Sequence, residues 1–147
     1  MKTYTVKIHD DGTKEWYLDD KRHRTDGPAV ERADGSKEWW LNGERHRTDG
    51  PAAEYANGDK YWWLNGERHR TDGPAVEYSN GTKMWYLNDV LHRTDGPAVE
   101  YPTGSKSWYL NGTYHTELQW REAVQPKPSC VGKIVEIDGK RYKLVAA

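Results

Sequence analysis

Residues 75–87 read AVEYSNGTKMWYL, and the way the two halves of this stretch fold onto each other decides the architecture of the chain. Asn80-Gly81 lies between two runs rich in Val, Tyr and Trp, the pattern in which a tight turn of positive φ closes a β-hairpin. A two-residue loop there predicts that Tyr78 faces Lys83, Glu77 faces Met84, Val76 faces Trp85 and Ala75 faces Tyr86. Side chains alternate along a strand, so one face would carry Val76, Tyr78, Trp85 and Leu87. The other would carry Ala75, Glu77, Met84 and Tyr86.

The same stretch recurs every 23 residues. Lys14, Lys37, Lys60, Lys83 and Lys106 open the runs KEWYL, KEWWL, KYWWL, KMWYL and KSWYL. Asn-Gly follows at 42, 65 and 111, with Asp19-Asp20 and Asn88-Asp89 as variants, and HRTDGP then begins at His23, His46, His69 and His92. Pro28, Pro51, Pro74 and Pro97 cannot donate to a ladder and mark strand starts. The Trp column (16, 39, 62, 85, 108) and the Leu column (18, 41, 64, 87, 110) never vary. The column Glu15, Glu38, Tyr61, Met84, Ser107 varies so widely that it is expected to face water.

A lone hairpin is marginal, so the units must stack. The sequence therefore predicts an all-β, elongated meander or solenoid over residues 1–114, comprising an N-terminal half unit and four full units around a stripe of Trp and Leu. Residues 115–147 are expected to cap it. There Thr116 and Gln119 form a capping box, with Leu118, Ala123 and Val124 as the apolar side of a short helix. Gln125-Pro126-Lys127-Pro128 breaks that helix, and a hairpin around Asp138-Gly139 pairs Glu136 with Arg141 and Val135 with Tyr142.

Composition narrows the possible functions. In 147 residues there are eight Trp, ten Tyr and no Phe, and the net charge of -1 disfavours bulk electrostatic binding of nucleic acid. One cysteine, Cys130, rules out an internal disulfide framework. The opening MKTYTVKIHDDG lacks the apolar run of a signal peptide, and no run of even ten apolar residues occurs, so a soluble cytoplasmic protein without a membrane span is expected.

HRTDGP is the densest polar motif, but each copy holds one His and one Asp, and copies in a two-strand repeat lie about 10 Å apart. Neighbouring imidazoles cannot then share a zinc ion, so no metal, cofactor or catalytic residue is assigned. The motif is expected to build a loop in which Asp26, Asp49, Asp72 and Asp95 accept backbone N–H bonds. Arg24, Arg47, Arg70 and Arg93 would pair with these carboxylates or with Glu. No nucleophile elbow or phosphate loop occurs, which points away from an enzyme.

The column Tyr17, Trp40, Trp63, Tyr86, Tyr109 stays aromatic beside the variable positions. Two readings are open: the rings lie over the return loops, sandwiching Arg or Pro, or they form an exposed ladder flanked by Glu31, Glu54, Glu77 and Glu100 that grips a protein. The alternatives are a nucleotide-like ligand held with the help of Arg24, Arg47, Arg70 and Arg93, and a homo-oligomeric scaffold joined through edge strands.

The stretch EYANGDKYWWLNGERHRTDGPAVEY, Glu54 to Tyr78, resembles the MORN repeat in its period, Asn-Gly, His and aromatic positions. After His, Arg-Thr-Asp-Gly-Pro replaces the usual Gly-x-Gly, a variant similar to repeats in bacteriophage and large-virus proteins. The resemblance covers about residues 3 to 115 and implies a stacked hairpin fold. It also implies service as an interaction or scaffolding module, with dimer formation in some members. A phage or viral protein acting on a host protein partner is thus expected.

Overall fold

The computed structural model of the chain describes residues 2–125, 133–143 and 145. An open antiparallel sheet of 12 strands runs as one meander, its order following the chain. It starts at β1 (Tyr4–Ile8) and β2 (Lys14–Leu18), from which β3 (Lys21–Arg22) branches, and ends at Lys106–Leu110 and Thr113–His115. Each unit between contributes two short strands, such as Val76–Glu77 and Lys83–Met84. The hairpin-repeat fold expected from the sequence is therefore the fold observed.

The register differs from the expected one by a single residue. Tyr78 N–H donates to the Thr82 carbonyl at 2.9 Å, so the loop is Ser79-Asn80-Gly81. Only Gly81 takes a positive φ, +92°. Asn80 turns its side chain inward instead, its Oδ1 accepting the Thr82 N–H at 2.9 Å, which holds a right-handed turn closed by a left-handed glycine. Val76 consequently opposes Met84, and Glu77 opposes Lys83. A slip of one residue moves every side chain to the other face. Val76 and Met84 share their face with Tyr86, while Trp85 lies on the opposite one.

The variable column is thus no solvated row. It lies opposite Val30, Ala53, Val76 and Val99, all at most 2 % exposed, and Glu38 within it is 1 % exposed. Ala29, Ala52, Ala75 and Ala98 are fully buried.

Asn42-Gly43, Asn65-Gly66 and Asn88-Asp89 do form turns with two positive φ values. Each closes a second small hairpin, exemplified by Trp40–Leu41 paired with Glu44–Arg45. The residue between the two hairpins is the Trp of the first column. Trp39 N–H donates to the Ala52 carbonyl at 2.8 Å, and its own carbonyl accepts from His46 N–H at 3.1 Å. Every full unit is therefore pinned to both of its hairpins through one tryptophan.

At the far end, Thr116 and Gln119 make the capping box that opens α1 (Glu117–Val124). The helix covers the sheet with Trp120, which is 7 % exposed and packs 4.5 Å from the Trp108 ring. Its Nε1–H donates to the Arg93 carbonyl at 2.9 Å. Leu118, expected to pack, is 67 % exposed, and Ala123 is exposed as well. The apolar pattern misled because the contact is made by one indole reaching a carbonyl 27 residues away. The terminal hairpin, Ile134–Ile137 with Lys140–Lys143, pairs Glu136 with Arg141 and Val135 with Tyr142. Its Ile134, Ile137 and Tyr142 are exposed. The Pro126-Lys127-Pro128 break and Cys130 lie outside the described residues. Among the described residues no helix is long and apolar enough to cross a membrane.

Candidate functional site

The HRTDGP loop is built around its arginine. Arg70 stacks its guanidinium 4.0 Å from the centroid of Trp62. Its Nε–H donates to Asp72 at 2.9 Å, and Nη1 donates to the Pro74 carbonyl and to Glu77, both at 3.2 Å. The opposite side of the guanidinium meets Gly73, where an added Cβ would lie 2.9 Å from Cζ. Glycine is needed there for close approach, since its φ is not in the left-handed range. Arg24, Arg47 and Arg93 repeat the arrangement over Trp16, Trp39 and Trp85 at 4.1, 3.9 and 3.9 Å. Each of the four rings gains a cation over one face, and each cation is neutralised by two carboxylates.

These loops also join successive units. Arg70 N–H donates to the Tyr86 carbonyl at 3.2 Å, and Arg24, Arg47 and Arg93 N–H groups do the same to Trp40, Trp63 and Tyr109. His69 Nδ1 accepts the backbone N–H of Asn88 at 3.2 Å, with His23, His46 and His92 receiving the equivalent bonds from Asn42, Asn65 and Asn111. The Nδ1 atoms of His23, His46 and His69 also lie 3.1, 2.8 and 2.7 Å from the side-chain Oδ1 of Asn42, Asn65 and Asn88.

Between consecutive loops lie three equivalent clefts, of about 500, 530 and 590 Å³. Trp39 and Leu41, Trp62 and Leu64, and Trp85 and Leu87 form their floors. Their walls are the Arg-Thr-Asp loops of two neighbouring units, with His46, His69 or His92 at one side. Asp26, Asp49, Asp72 and Asp95 stand at the rims with side chains about four-fifths exposed. The hydrogen bond from the adjacent Arg holds each of these carboxyls below its ordinary value. Glu31, Glu54, Glu77 and Glu100 accept from the loop arginines and do not flank the second aromatic column.

That second column is covered. Tyr86 is 7 % exposed, and Tyr17, Trp40, Trp63 and Tyr109 are half-buried, so they form no exposed ladder. Arginines of the small hairpins cover the middle of the column: Arg45 lies 5.0 and 5.4 Å from Trp40 and Trp63, and Arg68 lies 4.0 Å from Tyr86. At the ends, Lys7 lies over Tyr17 at 4.5 Å, and Tyr114 meets Tyr109 edge-on at 5.6 Å. The covering groups are Arg22, Arg45 and Arg68, which sequence reasoning passed over, and not the loop arginines or prolines.

The same arginines neutralise the buried carboxylates. Glu15 accepts from Tyr17 Oη at 2.7 Å and Arg22 Nη2 at 2.6 Å. The tyrosine hydrogen bond, then Arg22 and His9, outweigh burial and hold Glu15 down to about 2. At Glu38 burial pushes the carboxyl up, but Arg32 and Arg45 together bring it below its ordinary value. Glu38 also accepts from Trp40 Nε1 at 3.0 Å. In the next unit Tyr61 replaces the glutamate and packs edge-on against Tyr55 and Tyr78, leaving the buried Trp63 Nε1 without a partner. Where Met84 follows, Leu91 stands in the place of the arginine. The spacing of seven between Glu15 and Arg22, Glu38 and Arg45, and Met84 and Leu91 was the signal available in the sequence.

Chemically, the cleft face offers indole and leucyl surface, threonine hydroxyls and carboxylate oxygens. Its guanidinium groups are committed to internal partners. Among the described residues no three His, Cys, Asp or Glu side chains gather as they would around a metal ion. No protein-family model matches the chain, and no curated protein matches it either.

Proposed function

We propose that this chain is a non-enzymatic, MORN-like repeat protein that binds another macromolecule along its row of clefts. The observation that carries the reading is the equivalence of the three clefts: the same floor and the same walls recur once per unit. A single small molecule needs one pocket, whereas a surface repeated along a stack suits an extended partner that meets each unit in turn. The binding face is the one bearing the first tryptophan column, and the partner is a protein. In keeping with the phage-like variant of the repeat, that partner is a host protein in the host cytoplasm.

Blocking the rims tests this. Thr25, Thr48, Thr71 and Thr94 are exposed, so replacing them with Lys fills the clefts without touching the packed residues. Partners captured from extracts of the native cell should fall away stepwise as one, two and four threonines are replaced. Partners that survive the fourfold variant unchanged would refute the cleft face.

The nucleotide-like ligand is a weaker reading, because Nε and Nη1 of Arg24, Arg47, Arg70 and Arg93 are already bonded to carboxylates and a carbonyl. A thermal-shift screen with nucleotides distinguishes the two. A true ligand at 100 times its Kd would add about 2.7 kcal/mol, and the proposal expects no such gain.

A further inference from the structure

Each of the three clefts joins an apolar floor to an acidic mouth. The loop arginines are about one-fifth exposed, whereas the side chains of Asp26, Asp49, Asp72 and Asp95 are 79 to 81 % exposed. Each Asp accepts its arginine through Oδ1, and its Oδ2 takes no hydrogen bond among the described residues. One such carboxylate stands on either wall: Asp26 and Asp49, Asp49 and Asp72, then Asp72 and Asp95. The exposed strand lysines Lys37, Lys60 and Lys83 lie opposite Glu54 and Glu77 and line none of these clefts. A Lys or Arg side chain suits such a site, since its methylene stem can lie on indole and leucyl surface while its cation reaches the rim carboxylates.

The spacing of the clefts selects the backbone that carries such side chains. Each unit adds two strands to the sheet, and strands lie about 4.8 Å apart, so the clefts recur about every 9.6 Å. A polyproline II segment rises about 3.1 Å per residue with three residues per turn, which returns every third side chain to one side after about 9.3 Å. A β-strand returns side chains to one face after about 6.6 Å and misses the period. Two turns of α-helix, about 10.8 Å, come nearer but use their carbonyls inside the helix. The clefts offer donors to carbonyls that are free. Unlike Trp40 and Trp120, the indole N–H groups of Trp39, Trp62 and Trp85 have no acceptor among the described residues and are not sealed from water. The threonine hydroxyls on the walls are exposed as well.

We propose that the row of clefts takes an extended segment of the partner in polyproline II conformation, with a Lys or Arg at every third position and one such side chain in each cleft. The inference rests on the cleft face being the binding face, and adds the chemistry and the pitch of what lies there.

Fluorescence anisotropy with labelled nine-residue peptides and the full chain at low salt tests it. The peptide Lys-Pro-Pro-Lys-Pro-Pro-Lys-Pro-Pro should bind, and added salt should weaken it. Lys-Pro-Lys-Pro-Lys-Pro-Pro-Pro-Pro, of the same composition and charge, should bind about tenfold more weakly because one cleft at a time is filled. Asn in place of Asp keeps the Oδ1 that accepts arginine and loses only the charge. Asp49 and Asp72 border two clefts each, Asp26 and Asp95 one of the three each. Asp49→Asn/Asp72→Asn should therefore weaken binding roughly tenfold and Asp26→Asn/Asp95→Asn roughly threefold, although both change the net charge equally. Absence of binding by the first peptide, equal binding of the two spacings, or equal losses from the two double variants overturns the inference. Native partners that still fall away from the fourfold threonine variant would then leave the cleft reading standing with a different occupant, whereas partners that stay bound to it refute the cleft face itself.

Discussion

The two aromatic columns lie one residue apart in sequence and point to opposite sides of the stack, and arginine lies over rings of both. Over Trp16, Trp39, Trp62 and Trp85 the arginine belongs to a surface loop and holds the loop in shape, leaving clefts between successive copies. On the other side, Arg22 and Arg45 neutralise Glu15 and Glu38 of a column that varies from Glu through Tyr to Met, and Arg68 overlies Trp63 and Tyr86. The same cation–ring contact thus builds a uniform outer face and a heterogeneous inner one. Uniformity belongs to the face that presents itself once per unit. Heterogeneity is tolerated where each unit needs only an internally matched pair.

The matching is the first thing to break. Met84→Glu puts a carboxylate where Leu91 offers no cation, and should cost about 3 kcal/mol in urea unfolding. Adding Leu91→Arg recreates the Glu38–Arg45 arrangement and should recover at least half of that loss. Acid tests the native pairs. The folded carboxyl of Glu15 titrates at about 2 against an ordinary 4.5, so its stabilisation is complete above the ordinary value and disappears as pH falls toward the folded one. Thermal melts between those limits should lose about 2 kcal/mol, and Glu15→Gln should flatten the slope.

The outer face is probed by Gly73→Ala, whose Cβ would meet Arg70 Cζ at 2.9 Å. Pushing that guanidinium off Trp62 should cost about 1.5 kcal/mol, measurable by denaturant unfolding. A smaller effect separates two tryptophans of the inner face. Trp40→Phe removes a donor from buried Glu38 and should cost about 1 kcal/mol more than Trp63→Phe, whose indole N–H has no partner to lose.

Much of this was legible in the sequence because it depends on chemistry within a few residues. The period, the Asn-Gly turns of the small hairpins, the capping box of Thr116 and Gln119, and the pairing around Asp138-Gly139 all follow from local rules. The register at Asn80-Gly81 did not, because the same dipeptide serves a two-residue and a three-residue loop. What distinguishes them is the Asn80 side chain reaching the Thr82 N–H, and Asp34 and Asn57 make the same bond to Ser36 and Asp59. From that single slip came the exchange of faces, the misplaced burial of Glu38 and the choice of Tyr17, Trp40, Trp63, Tyr86 and Tyr109 as the exposed row. Trp120 was overlooked because its partners, Trp108 and the Arg93 carbonyl, are distant in sequence.

Everything assigned to the two faces depends on that register, and proton NMR reads it directly. Close Hα–Hα contacts between Glu77 and Lys83 and between Met84 and Val99 are expected, because both are pairs whose Cα atoms approach to about 4.5 Å. A contact between Tyr78 and Lys83 in their place would return Val76 to the tryptophan face and contradict the account.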